Sequence, residues 1–313
     1  MGALQYFFYL SVAVLLLGLL YKAIKIARMP IHLRWDLYPI PHEKGKGHYG
    51  GSYFEELDWW TKPLKVSLVS EVKEMSKEIL LIQSLFHHNR FLWLSSFPFH
   101  FGLYLLIGFL FFLVLGLILS LSGIAVGISS ESVIGVIVHY LTLFCGMAGA
   151  ALGTLGAIGL FLSRVFKGEL RRFSVKADFF NLALLLAVFA TLLLSLVTVD
   201  RDGAKHRALA ENLITLKPIG EMPSPIPLEL FLAGFFFLYL PFTHMTHFIG
   251  KYFTYHKVRW EDHPNLKGSK IEKAVTEYLG YKLSWAAPHI KAGSTWAEAA
   301  TDTSPVTGEE KKK

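Results

Sequence analysis

The sequence predicts an all-α fold, an integral membrane five-helix bundle with a cytoplasmic loop and a C-terminal extension. Three observations predict it. Hydrophobic residues make up 53% of the 313-residue chain and charged ones only 18%, where about 25% charged is usual for soluble proteins. Five apolar blocks lie at 3–21, 93–121, 132–162, 178–198 and 227–249. As helices, each is long enough to cross roughly 30 Å of hydrocarbon at about 1.5 Å per residue. The net charge of +7 sits mainly between and beyond these blocks, not in them.

The first block, within residues 1–27, lacks a basic leader and a clean small-residue cleavage site, and its positive charges follow it. It therefore reads as a retained transmembrane helix, not a secretion signal. Residues 28–92 are too polar to span and form a cytoplasmic loop. Pro30, Pro39, Pro41, Pro63 and the run Gly45–Gly51 make its first part irregular. Between 64 and 86, Leu64, Val66, Leu68, Val69, Val72, Met75, Ile79, Leu80 and Ile82 are interleaved with Lys and Glu. That spacing predicts an amphipathic helix lying on the membrane or on a soluble partner, with an ordinary surface helix as the plainer alternative.

Residues 93–250 hold the other four blocks. The second and third exceed the minimum length, so they tilt or project from the bilayer. Gly146, Gly149, Gly153, Gly156 and Gly159 permit either close helix approach or packing against a flat porphyrin face; plain helix packing is the commoner use of such a stripe. Residues 251–313 form a cytoplasmic tail, with Trp285 and Trp296 in an ordered part and a Thr/Glu/Lys-rich end expected to be disordered beyond 300.

Flanking charge orients the bundle. Lys22, Lys25 and Arg28 follow the first block, Arg90 precedes the second, and Arg164, Lys167, Arg171, Arg172 and Lys176 fill the link between the third and fourth. Lys251, Lys257 and Arg259 follow the fifth, and the link between the second and third has no Lys or Arg. The positive-inside rule then puts the C-terminus in the cytoplasm and, with five spans, the N-terminus outside. The expected location is the inner membrane of a bacterial or archaeal cell. The basic surfaces face lipid headgroups or a protein partner in this reading, and nucleic acid is not an expected partner. With Cys145 as its one cysteine, the chain cannot form an intrachain disulfide or build its own iron–sulfur cluster.

Four histidines lie inside apolar blocks: His100, His139, His244 and His247. Ionisable groups are expensive in lipid, so they mark a candidate functional site, with helix–helix hydrogen bonding or interfacial placement as the alternative. Two imidazoles from facing helices can ligate a haem iron axially and give a low-spin centre for electron transfer. Counted by helical rise, His100 and His247 fall at similar depth on the cytoplasmic side, as a bis-histidine haem b requires. His244, one turn from His247, is placed to bond a propionate or quinone oxygen. His139 lies about 10 Å from the other end of its helix, with no membrane histidine at that depth to pair with. His206, in the following link, would have to fold back to reach it. Glu229 is a candidate acceptor of a quinol proton, the alternative being an ordinary interfacial carboxylate.

Phe99–His100–Phe101–Gly102, Lys176–Ala177–Asp178 and Pro241–Phe242–Thr243–His244–Met245–Thr246–His247 stand in an order and spacing that resemble one family. It is that of the gamma subunit of respiratory nitrate reductase. Its relatives are the cytochrome b subunits of sulfite-reduction-associated, heterodisulfide-reductase-like and type II cytochrome c3-associated membrane complexes. The resemblance covers roughly 90–250. It implies five helices and usually two haems b, which pass electrons between menaquinone or another quinone and a cytoplasmic iron–sulfur partner. His100 and His247 match the axial ligands of the cytoplasmic-side haem iron. The ligand positions of the outer haem fall at about Leu110 and Glu229, neither an imidazole, and a second haem would need His139 and another group.

The stretch Arg34–Trp35–Asp36–Leu37–Tyr38–Pro39, with Trp59–Trp60 and the Trp285–His289 region, looks most like the sulfite-reduction and heterodisulfide-reductase-like relatives. Partners implied are an iron–sulfur protein resembling the heterodisulfide reductase catalytic subunit, with further membrane and periplasmic cytochrome c subunits. The rival readings are a non-catalytic membrane anchor and a proton-translocating transport subunit; the lack of an internal repeat weakens the second.

Overall fold

The computed structural model describes residues 2–29, 43–45, 52–63, 65–260, 263–287 and 289–303. The Arg34–Pro39 motif, Pro30, Pro41, most of the Gly45–Gly51 run and the chain end expected to be disordered lie outside them. In chain order the helices begin with α1 (Ala3–Ala27), α2 (Leu68–Leu81), α3 (Gln83–His88), α4 (Arg90–Leu121), α5 (Val133–Phe166) and α6 (Gly168–Arg172). They continue with α7 (Lys176–Thr198), α8 (Ala204–Ile214), α9 (Ile226–Tyr239), α10 (His247–Phe253), α11 (Lys270–Leu279) and α12 (Trp296–Thr301). The all-α expectation holds: extended pairing among the described residues is limited to isolated bridges. Helices α1, α4, α5 and α7 are each long and apolar enough to cross a membrane, and α9 with its continuation makes a fifth if that interrupted block counts as one span.

The chain packs as two units, Met1–Gly18 with Val72–Thr243, and Leu19–Glu71 with His244–Lys313. In the first, α4 and α5 are an antiparallel pair. The Asn89 side chain accepts from the Leu92 N–H at 3.0 Å and caps the start of α4. Its end is a Schellman turn, with Gly123 at φ +83°, the Ile124 N–H on the Leu119 carbonyl and the Gly123 N–H on that of Ser120. The glycine stripe is explained by this pair. A Cβ on Gly102 would sit 2.5 Å from the backbone nitrogen of Gly153, and one on Gly156 2.4 Å from that of Phe99. The two backbones touch, which only glycine allows. On α7, the fully buried Phe189 lays its ring against Gly153, 2.3 Å from where a Cβ would be. The stripe therefore serves helix packing.

Gly156→Leu is expected to lower the unfolding temperature of the solubilised protein, with an overpacking cost of about 1–3 kcal/mol or more. Gly168→Ala, at a position with nothing within 4 Å, is the matching control. Equal melting curves for the two variants would contradict the backbone contact.

Beyond the seam, Phe109, Leu113, Cys145, Ala150, Leu192 and Leu196 form a buried core shared by α4, α5 and α7. Apolar residues also cover the outside: Ile107, Phe111 and Ile118 on α4 and Ile137, Phe144 and Leu155 on α5 are all exposed. Helices apolar on every face are what a hydrocarbon solvent selects. Helix α1 packs on α9 through Phe7 and Phe8 and is hydrogen-bonded to the 199–226 link. Buried Gln5 donates to the Lys217 carbonyl at 2.8 Å and accepts from the Ile219 N–H at 3.3 Å, while the Tyr9 hydroxyl donates to the Leu213 carbonyl at 2.9 Å. These bonds place the start of α1 at the same end of the bundle as the 199–226 link.

The fifth apolar block is not one helix. After α9 come 3₁₀ turns at Leu240–Phe242 and His244–Thr246, then α10 and a π-helical turn at Thr254–Arg259. Pro241 lacks the N–H that would continue α9, and Thr243 is extended at φ −111°, ψ 170°. In the first unit Pro241 packs on α1, so a Cβ on Gly18 would meet its Cβ at 2.5 Å.

In the second unit, Lys22 donates to the Thr246 hydroxyl at 2.7 Å and Lys257 to the Ala27 carbonyl at 2.6 Å. His256 pairs with Glu71 at 2.6 Å. The segment expected as one amphipathic helix over 64–86 is divided: α2 carries exposed Leu68, Val69 and Val72, Ile82 at φ +51° ends it, and α3 follows; Leu64 lies outside the described residues. The tail orders into α11, capped by Ser269, and α12, whose Thr295 and Glu298 form a reciprocal capping box. Trp296 stacks on Tyr278 and meets Trp285 edge-on.

Candidate functional site

His100 lies in the third turn of α4, half-buried, beside the buried Phe99 that packs on the α5 seam. Its Nδ1 is 2.7 Å from the Ser96 carbonyl oxygen. A carbonyl only accepts, so Nδ1 carries the proton and the neutral ring has its lone pair on Nε2. That is the tautomer a metal-bound imidazole uses, and the carbonyl fixes the ring's orientation. His247 opens α10 on the exposed side and is held alike, with Nδ1 3.3 Å from the His244 carbonyl. His88 and His256 make the same kind of bond, to Ser84 and Tyr252, so the tautomer permits ligation without singling it out. The interruption at Pro241 removes the helical-rise argument for the depth of His247, which was counted along a continuous helix. For the same reason His244 and His247 do not share a helix face: one is in a 3₁₀ turn, the other begins α10.

The opposite end of the first unit holds a second constellation. The 199–226 link folds into α8, which turns His206 inward to 3% exposure. His206 Nδ1 is 2.5 Å from Asp200 Oδ2, and Nε2 is 3.1 and 3.2 Å from the two oxygens of Glu229. Glu229 Oε2 is 2.6 Å from the Ser195 hydroxyl. Asp200, 1% exposed, also accepts the backbone N–H groups of Lys205 and His206 at 2.8 and 2.9 Å and so anchors the start of α8. The edge of the Phe109 ring closes over His206, and Leu209, Ile226 and Leu230 form an apolar cluster at the same end.

His139 is buried nearby, and its partner is Arg207, whose guanidinium donates to Nδ1 at 3.2 Å. Arginine only donates, so this nitrogen's lone pair is already engaged. The structure thus brings Glu229 together with His206, Asp200 and Ser195, and joins His139 to Arg207. Sequence reading named Glu229, His139 and His206 but not the groups that connect them. The available signal was Asp200–Arg201–Asp202–Gly203, an acidic turn directly after a span, opening a short helix with an inward histidine.

Charge in this cluster is set by close partners. Burial opposes a proton on His206, but hydrogen bonds and ionic attraction from Asp200 and Glu229 overcome it and raise its pKa from 6.5 to about 9. Burial likewise works against the Asp200 carboxylate, while bonds from the His206 side chain and the Lys205 and His206 backbone outweigh it and lower its pKa from 3.8 to about 2. By linkage, the stability from His206 is complete below pH 6.5 and is lost as pH rises through about 9. That from Asp200 is complete above pH 3.8 and lost as pH falls through about 2. The melting temperature of the solubilised protein is therefore expected to fall between pH 6.5 and about 9, and to do so less in His206→Gln. A flat wild-type profile would count against the buried imidazolium.

The family profile of the nitrate reductase gamma subunit matches residues 79–261, more than half of the chain. The chain belongs to the nitrate reductase gamma subunit family. This family consists of haem b-binding membrane subunits of respiratory oxidoreductases, and the chain is accordingly a multi-pass membrane cytochrome b subunit. No curated protein sequence matches it.

The matched range contains both His100 and His247. For a gamma-subunit haem, the donor chemistry at His100 fits: an imidazole whose Nδ1 is oriented by the carbonyl behind it. A second observation in the first unit points to a missing partner: Asn181, 4% exposed on α7, has neither amide atom hydrogen-bonded among the described residues. A cofactor carbonyl or carboxylate would accept from its NH2 group, while its Oδ1 needs a donor. For a second haem at the link end the residues do not fit. Leu110 is 51% exposed and turned away, Glu229 is engaged with His206, and Phe109 with its neighbours fills the interior at that level.

Proposed function

We propose that this gamma-subunit relative links a membrane quinone to a cytoplasmic iron–sulfur partner through one haem b, with His100 and His247 as its axial ligands. The family match across 79–261 carries this reading. The tautomers of the two histidines are compatible with it, and the ligand assignment itself comes from their sequence positions. When bound, the haem supplies one-electron redox chemistry, and the chain supplies its ligands, their orientation and an apolar surround. His244 and Glu229 are our candidates for quinone and proton contacts. We further propose menaquinone as the quinone, a cytoplasmic C-terminus with the N-terminus outside, and an iron–sulfur partner of the heterodisulfide reductase type, with other membrane and periplasmic cytochrome c subunits in the same complex.

The test is the dithionite-reduced minus oxidised spectrum of the protein purified with haem supplied during expression. A b-type α band, and one haem per chain by pyridine haemochrome, is the expected result. No such band overturns the reading and leaves the membrane-anchor and proton-translocating alternatives. The second of these shares one feature with the molecule, the buried acid–base cluster.

A further inference from the structure

The Asp200–His206–Glu229–Ser195 cluster lies outside the pair of ligands proposed for the haem. We propose that it is a proton-loading site, in which Glu229 takes the proton from a quinol hydroxyl at the link end of the bundle. The inference rests on the quinone-linked reading and adds to it the residues that handle the proton.

Three observations carry it. The first is the charge count. Asp200 and Glu229 flank a single imidazole, so with His206 protonated the cluster keeps one negative charge that nothing in it cancels. A structural ion pair would need one carboxylate, and Asp200 already serves, bonded to His206 Nδ1 and two backbone N–H groups. The second is the hydroxyl. Ser195 Oγ is 2.6 Å from Glu229 Oε2 and 2.9 Å from the Leu192 carbonyl. With Glu229 ionised, Ser195 donates to it; with Glu229 protonated, the carboxyl donates to Ser195, which turns its hydrogen to Leu192. Both states are satisfied with no heavy atom moving, so Glu229 can gain and lose a proton without reorganising its surroundings.

The third is the gradient of access. The Asp200 side chain is 0% exposed, His206 3% and Glu229 14%. A proton donor arriving from outside the protein meets Glu229 first. His206 and Asp200 are positioning residues that hold it. The other charged or titratable groups at this end include Arg207 with Asp202 beside it, His139 on α5 accepting from Arg207, Arg201, the Glu211–Lys217 pair, and Lys205, whose ammonium donates to the Val199 carbonyl.

In the step proposed, a hydroquinone O–H bond breaks, its proton goes to the Glu229 carboxylate, and the electron pair stays on oxygen. The proton of the second hydroxyl leaves to water at the same end, and the two electrons would pass one at a time to the haem b of the proposed function, leaving the quinone. Quinone reduction runs the same step backwards.

The experiment compares membranes containing the full chain as wild type, Glu229→Gln and Glu229→Asp, following haem reduction by menadiol and by dithionite from neutral to alkaline pH. Dithionite is expected to reduce the same amount of haem in all three. Menadiol-driven reduction is expected to slow about a hundredfold in Glu229→Gln, the usual worth of a positioned general base, and to recover in part in Glu229→Asp. A wild-type rate and pH profile in Glu229→Gln overturns the proton site. So does loss of dithionite-reducible haem from that variant, which would make Glu229 part of haem binding. If the wild type carries no haem, or menadiol does not reduce it, the quinone-linked reading fails and this inference with it. Should Glu229→Gln not accumulate, the wild-type infrared difference spectrum on quinol addition decides. The carbonyl band of a newly protonated carboxyl, shifted in Glu229→Asp, supports the proposal, and its absence overturns it.

Discussion

His247→Ala and His100→Ala, each isolated with haem supplied during expression, are expected to lose the b-type α band and nine-tenths or more of their haem, while keeping wild-type helical content. The size of the effect follows from what is removed. Loss of a partner that merely orients a metal-bound histidine costs about 10–100-fold in metal affinity, and removing the ligand itself costs at least that. The fold should survive, because neither side chain is part of the α4–α5 seam, where Gly102, Gly153 and Gly156 bring the backbones together. His244, three residues before His247, is the obvious substitute, so the double variant His244→Ala/His247→Ala separates weak rescue from true loss. Haem per chain by pyridine haemochrome, with circular dichroism on the same samples, makes the measurement. Unchanged haem in His247→Ala would end the ligand assignment.

The second large effect is on stability. His206→Leu leaves Asp200 and Glu229 buried without the cation between them, and breaking a buried ion pair on one side typically costs about 3–5 kcal/mol. Because replacing a whole buried charge cluster by apolar groups is often neutral or stabilising, adding Glu229→Leu to His206→Leu should restore part of the loss. Asp200 tolerates the change best, since it keeps its bonds to the backbone of α8. Thermal unfolding of the solubilised variants reads both effects. A melting temperature for His206→Leu equal to wild type would show that the cluster does not hold the link end together.

The membrane fold was legible because its signal is long and one-dimensional: runs of apolar residues and the lysines and arginines that flank them. The glycine stripe was legible as a packing surface, though not which ring would fill it; that Phe189 meets Gly153 depends on the rotation of α7, which hydropathy does not encode. The interruption of the fifth block was missed for a clearer reason. Pro241 sits among Leu240, Phe242 and other apolar residues, so the hydropathy stays high while the hydrogen-bond ladder ends. The link-end cluster was half legible. Glu229 and His139 stood out as polar residues in apolar surroundings, but Asp200 and Ser195 are ordinary residues at the end of a span and Arg207 is one of the link. The folding of α8 gives Asp200 and Arg207 their partners, and the packing of α9 on α7 gives Ser195 its own.

The broken backbone after α9 also bears on how such a chain is held together. Helix α9 has 14 residues, about 21 Å at 1.5 Å per residue, which is short of a bilayer's hydrocarbon core. Irregular backbone at that depth is tolerated only where protein surrounds it. Helix α1 provides that shelter, with Gly18 receiving Pro241 and Lys22 bonded to Thr246. Helix α1, distant in sequence, thus supplies the packing that lets the interrupted fifth block keep its irregular backbone.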